Sequence, residues 1–213
     1  MIAPKRGSAV APELLGLHLA DDPGAWAAAG FAVHDDRCLV DGVIVHLGSI
    51  ADASGIVAWS LSEVGVAAID GLTLAAPPVA TGVEPADHPN GTTAIDHVVA
   101  ASGDLGRTTE ALEAVGIVAR RTRDTTLGAS PLRQVFFRLG RPILELIGPP
   151  DPVPDRPTTF WGLALTVGDL DATKDVLGDL LGDPKDAVQP GRRIATLRTG
   201  ALGISVPIAF MST

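Results

Sequence analysis

Two residues in the middle of the chain are of types that could do chemistry together. His97 stands in an apolar run at 93–102, and Glu145 in another at 143–147. Strand alternation would place His97 with Val99 and Ala101 on one face, and Glu145 with Ile143 and Ile147. A carboxylate on an apolar sheet face is costly to bury, so Glu145 must be solvated, protonated or paired. Arg138, sharing a face with Gln134 and Phe136 one strand over, would make a plain ion pair with it. Alternatively, Glu145 and His97 together are a natural acid–base pair, or the right ligand types for zinc, iron or manganese. His97 alone reads equally well as a half-buried histidine hydrogen-bonded to a neighbour. Arg192, Arg193 and Arg198 are either a solvated edge or, in a cup, a grip for a carboxylate or phosphate, with Arg193 the candidate. Phe136 and Phe160 are the candidates for an apolar wall, whereas Trp161 is expected under a helix. No glycine-rich phosphate loop, no Ser/His/Asp spacing and no basic–aromatic interleaving occurs.

These residues need elements to hold them, and an internal repeat names the elements. Gly103, Asp104 and Leu105 recur as Gly168, Asp169 and Leu170, and Thr108 and Leu112 recur as Thr173 and Leu177, at a constant offset of 65 residues. Each set follows a short apolar run, at 93–102 and 159–167. The helix after the first run presents Leu105, Thr108, Leu112 and Val115 on one stripe and stops at Gly116; the second presents Leu170, Thr173, Leu177 and Leu180. Strands are expected at 117–122, 133–139 and 143–147 after the first helix, and at 193–198 and 204–210 after the second. Pro207 inside the last run demotes it toward an edge or bulge.

A more divergent copy precedes these two. It has a strand at 14–20, a short helix between Asp22 with Pro23 and Gly30, and strands at 31–33, 37–40 and 43–47, the last two joined by the Asp41–Gly42 turn. Runs at 56–61 and 66–74 extend it as a hairpin. The organisation is therefore an N-terminal module over 1–76, frayed at its start, a linker over 77–92, a module over 93–149, a proline-rich linker over 150–157 and a module over 158–213. The fold class is α+β, with repeated βαβββ modules building a cup-shaped mixed sheet and helices outside.

A formal net charge of -9 over 213 residues argues against nucleic acid or an anionic membrane as a partner. Cys38 is the only cysteine, which rules out an intrachain disulfide and fits a reducing compartment. No run approaches the roughly 20 apolar residues that span a bilayer, and a cytoplasmic protein is expected.

A tandem βαβββ unit opening on Ile95, Asp96, His97, Val98 and Val99 and closing on Ile143, Leu144, Glu145, Leu146, Ile147, Gly148 and Pro149 resembles the vicinal oxygen chelate superfamily. That group includes glyoxalase I, the bleomycin-resistance proteins, the extradiol dioxygenases and methylmalonyl-CoA epimerase, and the match is nearest to glyoxalase-like proteins. The resemblance implies paired modules and a divalent metal (zinc, manganese, nickel or iron) held from first and last strands. His97 and Glu145 match two ligand positions. Gly162 and Ser205 stand where the second pair would be, and offer little. If the first two modules paired instead, His46, at the position matching Glu145, and His18 could join His97 and Glu145. An odd number of modules suggests a homodimer, in which six units all find partners.

Three functions follow from this reading. The first is a lyase, isomerase or epimerase acting on a small oxygenated, anionic molecule, with Glu145 and His97 as acid–base pair or metal ligands. The second is a cup that sequesters a small molecule without chemistry, as the bleomycin-resistance proteins do. The third is a degenerate fold that serves assembly.

Overall fold

The computed structural model describes residues 11–78 and 87–213; the expected frayed start at 1–10 and residues 79–86 of the expected linker lie outside the described residues. Strand β1 (Leu14–Leu19) sends Leu17 and Leu19 into the core, and helix α1 (Pro23–Ala28) follows, capped by the Asp22 carboxylate, which accepts from the backbone N–H of Gly24 and Ala25. β2 (Arg37–Val40) and β3 (Val43–Leu47) are joined by Asp41 and Gly42, both at positive φ, as a two-residue hairpin requires. β3 runs parallel to β1, and β4 (Ile56–Leu61) lies antiparallel on its other side, giving the order β2-β3-β1-β4.

Two expectations fail in this sheet. Residues 31–33 are not a strand, because Phe31 turns inward to pack on Trp26 and Phe210, with ring centroids 4.6 and 6.3 Å away. Nor do the runs at 56–61 and 66–74 form a hairpin with each other. β4 pairs with β1, while β5 (Ala68–Ile69) and β6 (Leu72–Thr73) make their own small ribbon about Asp70 and Gly71.

The two clearer repeats build one continuous sheet. The first comprises β7 (Thr92–Ala101), α2 (Leu105–Ala114), β8 (Ala119–Leu127), β9 (Ser130–Arg138) and β10 (Ile143–Gly148). The second comprises β11 (Thr159–Val167), α3 (Leu170–Leu177), β12 (Lys185–Asp186), β13 (Arg193–Thr196) and β14 (Ile208–Ser212). In each, the last strand returns parallel to the first, and the two first strands run antiparallel, so the order is β12-β13-β14-β11-β7-β10-β9-β8. The sheet curls into a cup. The last strand begins at Ile208 rather than at 204, since Pro207 has no N–H to give to a ladder.

Helices α2 and α3 bury the same stripe, Leu105, Thr108 and Leu112 in one and Leu170, Thr173 and Leu177 in the other, against the outer face of the sheet. Each fully buried leucine contributes about 2 kcal/mol from apolar burial. The stripe threonines serve polar contacts between units. Thr108 and Thr158 both donate to the Asp70 carboxylate, which also takes the Arg107 guanidinium at 2.8 Å; Thr173 donates to the Asn90 carbonyl at 2.9 Å. Buried Asp21 joins α1 to the third unit, accepting from the Ser205 hydroxyl at 2.6 Å and from the Trp26 indole at 3.1 Å. Cys38 is fully buried in the core. Among the described residues, no helix is long and apolar enough to cross a membrane.

Candidate active site

The site grows out of a break in the alternation of β7. Ile95 and Val98 both point into the core, which strict two-residue alternation forbids. The pairing with β11 passes from His97 opposite Ala164 to Ile95 opposite Leu165, leaving Asp96 without a partner residue. This β-bulge turns Asp96 to the same side as His97. The imidazole therefore lies between two carboxylates, with Nδ1 2.9 Å from Asp96 Oδ1 and Nε2 3.1 Å from Glu145 Oε2.

Further partners extend the row at both ends. The Gln134 side-chain amide N–H donates to the other oxygen of Glu145, and Arg123 Nε donates to Gln134 Oε1 at 2.7 Å. The Arg123 guanidinium sits over the Phe136 ring, 6.0 Å from its centre. At the opposite end Arg192 Nη1 meets Asp96 Oδ2 at 2.7 Å while its Nε donates to the Ser212 carbonyl at 2.6 Å. Thr166 adds a hydroxyl to Asp96 at 3.3 Å. Charges alternate along the row: Arg192, Asp96, His97, Glu145.

This arrangement decides the protonation of His97. Burial alone would lower its pKa, but hydrogen bonds to Asp96 and Glu145, reinforced by the charge of both, raise it to about 9. Burial works against the Asp96 carboxylate too, yet His97 and Arg192 hold it down at about 2. At neutral pH His97 is an imidazolium donating both N–H groups to carboxylates.

The expected residues fall partly into this cup. Gln134 and Phe136 are in it. Arg138 does not reach Glu145; it lies at the exposed end of β9 opposite Ile143 and donates to the Arg141 carbonyl at 3.1 Å, closing the turn. Arg193 points to the helix side and makes a two-pronged pair with Asp171 at 2.7 and 2.8 Å, so Arg192 takes the inner place. Phe160 and Trp161 are exchanged relative to expectation, again through a bulge. β11 pairs Phe160 with Ala100 and Gly162 with Val99, and Trp161 is the extra residue. Phe160 packs edge-on to Trp59 in the core at 5.3 Å, and Trp161 borders the cup.

His46 and His18 do not join His97. They stand side by side in the four-stranded sheet with rings stacked 4.5 Å apart, because the second unit pairs with the third rather than the first. In the third unit the counterparts of the two ligand positions are bare. A Cβ at Gly162 would come within 2.9 Å of the Pro207 carbonyl oxygen, so a longer side chain there is sterically barred without a backbone shift. Ser205 lies before β14, bound to Asp21. By register the residue that matches Glu145 is Ala209, which faces Ala164 as Glu145 faces Val99. Among the described residues a divalent metal would find two donors converging, His97 Nε2 and Glu145, since Asp96 is on the far side of the ring. Catalytic metals usually have three protein ligands. Among the described residues no group of three or more His, Cys, Asp or Glu side chains is placed to hold one, and the donor set does not fit a tightly held metal.

His97, Gln134 and Glu145 border two spaces at once. On one side is a cavity of about 550 Å³ walled by Val99, Leu132, Ile147, Trp161 and Ile208; on the other is a groove edged by arginines of β8. Sequence reading missed Asp96, Arg123 and the role of Arg192. A usable signal existed for Asp96, because strict alternation would have buried its carboxylate beside Val98 and Ala100 without a partner.

Curled sheet, tandem units and inner-face site together define the fold of the vicinal oxygen chelate superfamily. Solved structures with this fold match nearly the whole chain. A triple-substituted 4-hydroxymandelate synthase from Streptomyces coelicolor matches at a TM-score of 0.61 and 15% identity, over 94% of this chain and 92% of that one. A variant homoprotocatechuate 2,3-dioxygenase from B. fuscum matches at 0.59 and 12% identity, over 98% and 74%. A catechol 2,3-dioxygenase matches at 0.55 and 12%, over 94% and 86%. At these identities the likeness is one of fold. No protein-family model matches the chain, and no curated protein sequence matches it.

Proposed function

We propose that the cup is the active site of an isomerase, epimerase or lyase that moves a proton on a small oxygenated molecule without a tightly bound metal. The observation that carries this reading is His97 held as an imidazolium against Glu145, at the junction of the two spaces. Glu145 is the base. It takes a proton from a carbon next to a carbonyl, and the electrons of that C–H bond pass to the carbonyl oxygen as an enolate. Once protonated, Glu145 attracts the Nε2–H of His97 less strongly, and that hydrogen bond becomes available to the enolate oxygen. Asp96 keeps the positive charge on the ring throughout, and Arg192 keeps Asp96 ionised. Return of the proton to the opposite face of the same carbon, once the enolate has turned over against Glu145, gives epimerisation, and delivery to the neighbouring carbon of an enediolate gives isomerisation.

The test is solvent exchange. A panel of 2-oxo acids, 2-hydroxy ketones and their phosphate esters is incubated with the protein in D2O, and loss of C–H signals is followed by NMR. At least one compound exchanges, and Glu145→Gln slows that exchange by about 10²- to 10⁴-fold. Compounds that bind but keep every proton would overturn the enzymatic reading in favour of a sequestering cup. In the same preparation, stripped of metal, added zinc, manganese, nickel or iron leaves the melting temperature unchanged. A stabilisation abolished by Glu145→Gln would instead restore the metal reading.

A further inference from the structure

The groove on the outer side of the His97–Glu145 pair is cationic in an acidic protein. Seven Arg and Lys side chains border it (Arg120, Arg121, Arg123, Arg138, Arg141, Arg192 and Lys185) together with the His97 imidazolium, against the carboxylates of Asp41, Asp96, Glu145 and Asp186, while the chain carries a formal net charge of -9. Several of these cations are engaged: Arg192 with Asp96, Arg141 with Asp41, Arg123 with Gln134, Arg138 with a backbone carbonyl. Arg120, Arg121 and Lys185 have no side-chain partner among the described residues. The first two are adjacent in sequence yet both border the groove, because β8 carries a bulge there: Ala119 faces Phe137, Arg121 faces Phe136, and Arg120 is the extra residue. Two free guanidiniums on one lip, with a free ammonium opposite on β12, suit a multiply charged anion such as a phosphate.

The space on the inner side is the opposite in character. Its walls are mainly aliphatic and aromatic, with Ser102, Ser130, Arg156 and Thr196 as the polar wall residues and His97, Gln134 and Glu145 at the floor. At about 550 Å³ it has room for an aryl or short acyl group. The same three floor residues border both spaces, so a molecule reaching from one to the other passes over the Glu145 carboxylate.

We infer that the ligand is an amphipathic organic phosphate, with its apolar body in the inner cavity, its phosphate against Arg120, Arg121 and Lys185, and its reactive carbon between them over Glu145. The position of the reactive carbon rests on the reading of Glu145 as base; the two-ended binding does not.

The experiment is calorimetric titration of the full chain with aryl-alkyl phosphates having one to six methylenes between ring and phosphate, with inorganic phosphate and the corresponding aryl alcohols as half-ligands. An intermediate member binds at least about tenfold more tightly than either half-ligand, and affinity falls on both sides of that length. The double substitution Arg120→Ser with Arg121→Ser, on an exposed edge strand, removes the gain due to phosphate and leaves the alcohol's affinity unchanged. A series in which no member binds better than inorganic phosphate, or a double variant that keeps the phosphate gain, overturns the inference. Failure of proton exchange with intact two-ended binding overturns the catalytic reading alone.

Discussion

If His97 is an imidazolium because Asp96 and Glu145 hold it so, the protein must lose stability as that charge is lost. The folded-state pKa is about 9 against an ordinary value of 6.5. A base whose pKa is raised on folding stabilises fully below its unfolded value, and this stabilisation disappears as pH rises through the folded one. The full effect is about 3 kcal/mol, at 1.36 kcal/mol per unit, and about 2 kcal/mol of it is lost between roughly pH 6.5 and pH 8.5. His18, His46 and His88 have pKa values lowered by burial, so their effect has the opposite sign, offsets part of the loss near pH 6.5 and is complete about one pH unit above the unfolded value, which leaves roughly pH 7.5 to 8.5 as the clean part of the window. The Cys38 thiol, pushed up to about 12, lowers stability only above its ordinary value of 9.0. Urea unfolding at several pH values gives the slope, and NMR of the imidazole C–H protons gives the His97 titration directly. Asp96→Asn keeps the shape, weakens the hold on Nδ1–H, and reduces the loss by about 1 kcal/mol or more. His97 titrating at or below 6.5, or an Asp96→Asn protein with an unchanged slope, would refute the reasoning.

Two other perturbations test the scaffold. Asp70→Ala removes the acceptor shared by Arg107, Thr108 and Thr158, and should cost about 2–3 kcal/mol in urea unfolding; since the hydrogen bonds outweigh burial and lower the Asp70 pKa, the parent's advantage over the variant should shrink as pH falls below the ordinary carboxylate range. Cys38, buried with its thiol at about 12, should resist thiol reagents at neutral pH until the protein unfolds, which a timed labelling assay measures.

Much of the scaffold was legible because it obeys short-range rules. The stripes of Leu105, Thr108 and Leu112 and of Leu170, Thr173 and Leu177 follow helical spacing, and Asp104 and Asp169 cap the helices they precede. The placement of His97 and Glu145 in neighbouring strands followed from the repeat. What could not be read depended on twist and on lost alternation. Gln134 and Arg138 are each two residues from Phe136, the residue opposite Glu145, and sequence offers no means of choosing between them. Arg192 and Arg193 send their side chains to opposite faces, and only the register of β13 says which face is inside. Phe160 and Trp161 were exchanged by one extra residue. Pro207 signalled irregularity, but not that the strand would begin after it.

The bulges at Asp96, Arg120 and Trp161 make the cup sensitive to chain length as well as to residue type. Each is a change of phase in a two-beat pattern. Substitution at such a position alters one side chain and leaves the beat intact. Deleting Asp96 would make the beat strict and leave Ile95, His97 and Val98 on their present faces, whereas deleting a paired residue such as Val99 would send one flank's core residues to the cup and its cup residues to the helices. A lineage can therefore retune this cup by exchange of residues or by loss of the bulge, whereas a single codon lost from the paired part of β7 would turn its lining inside out.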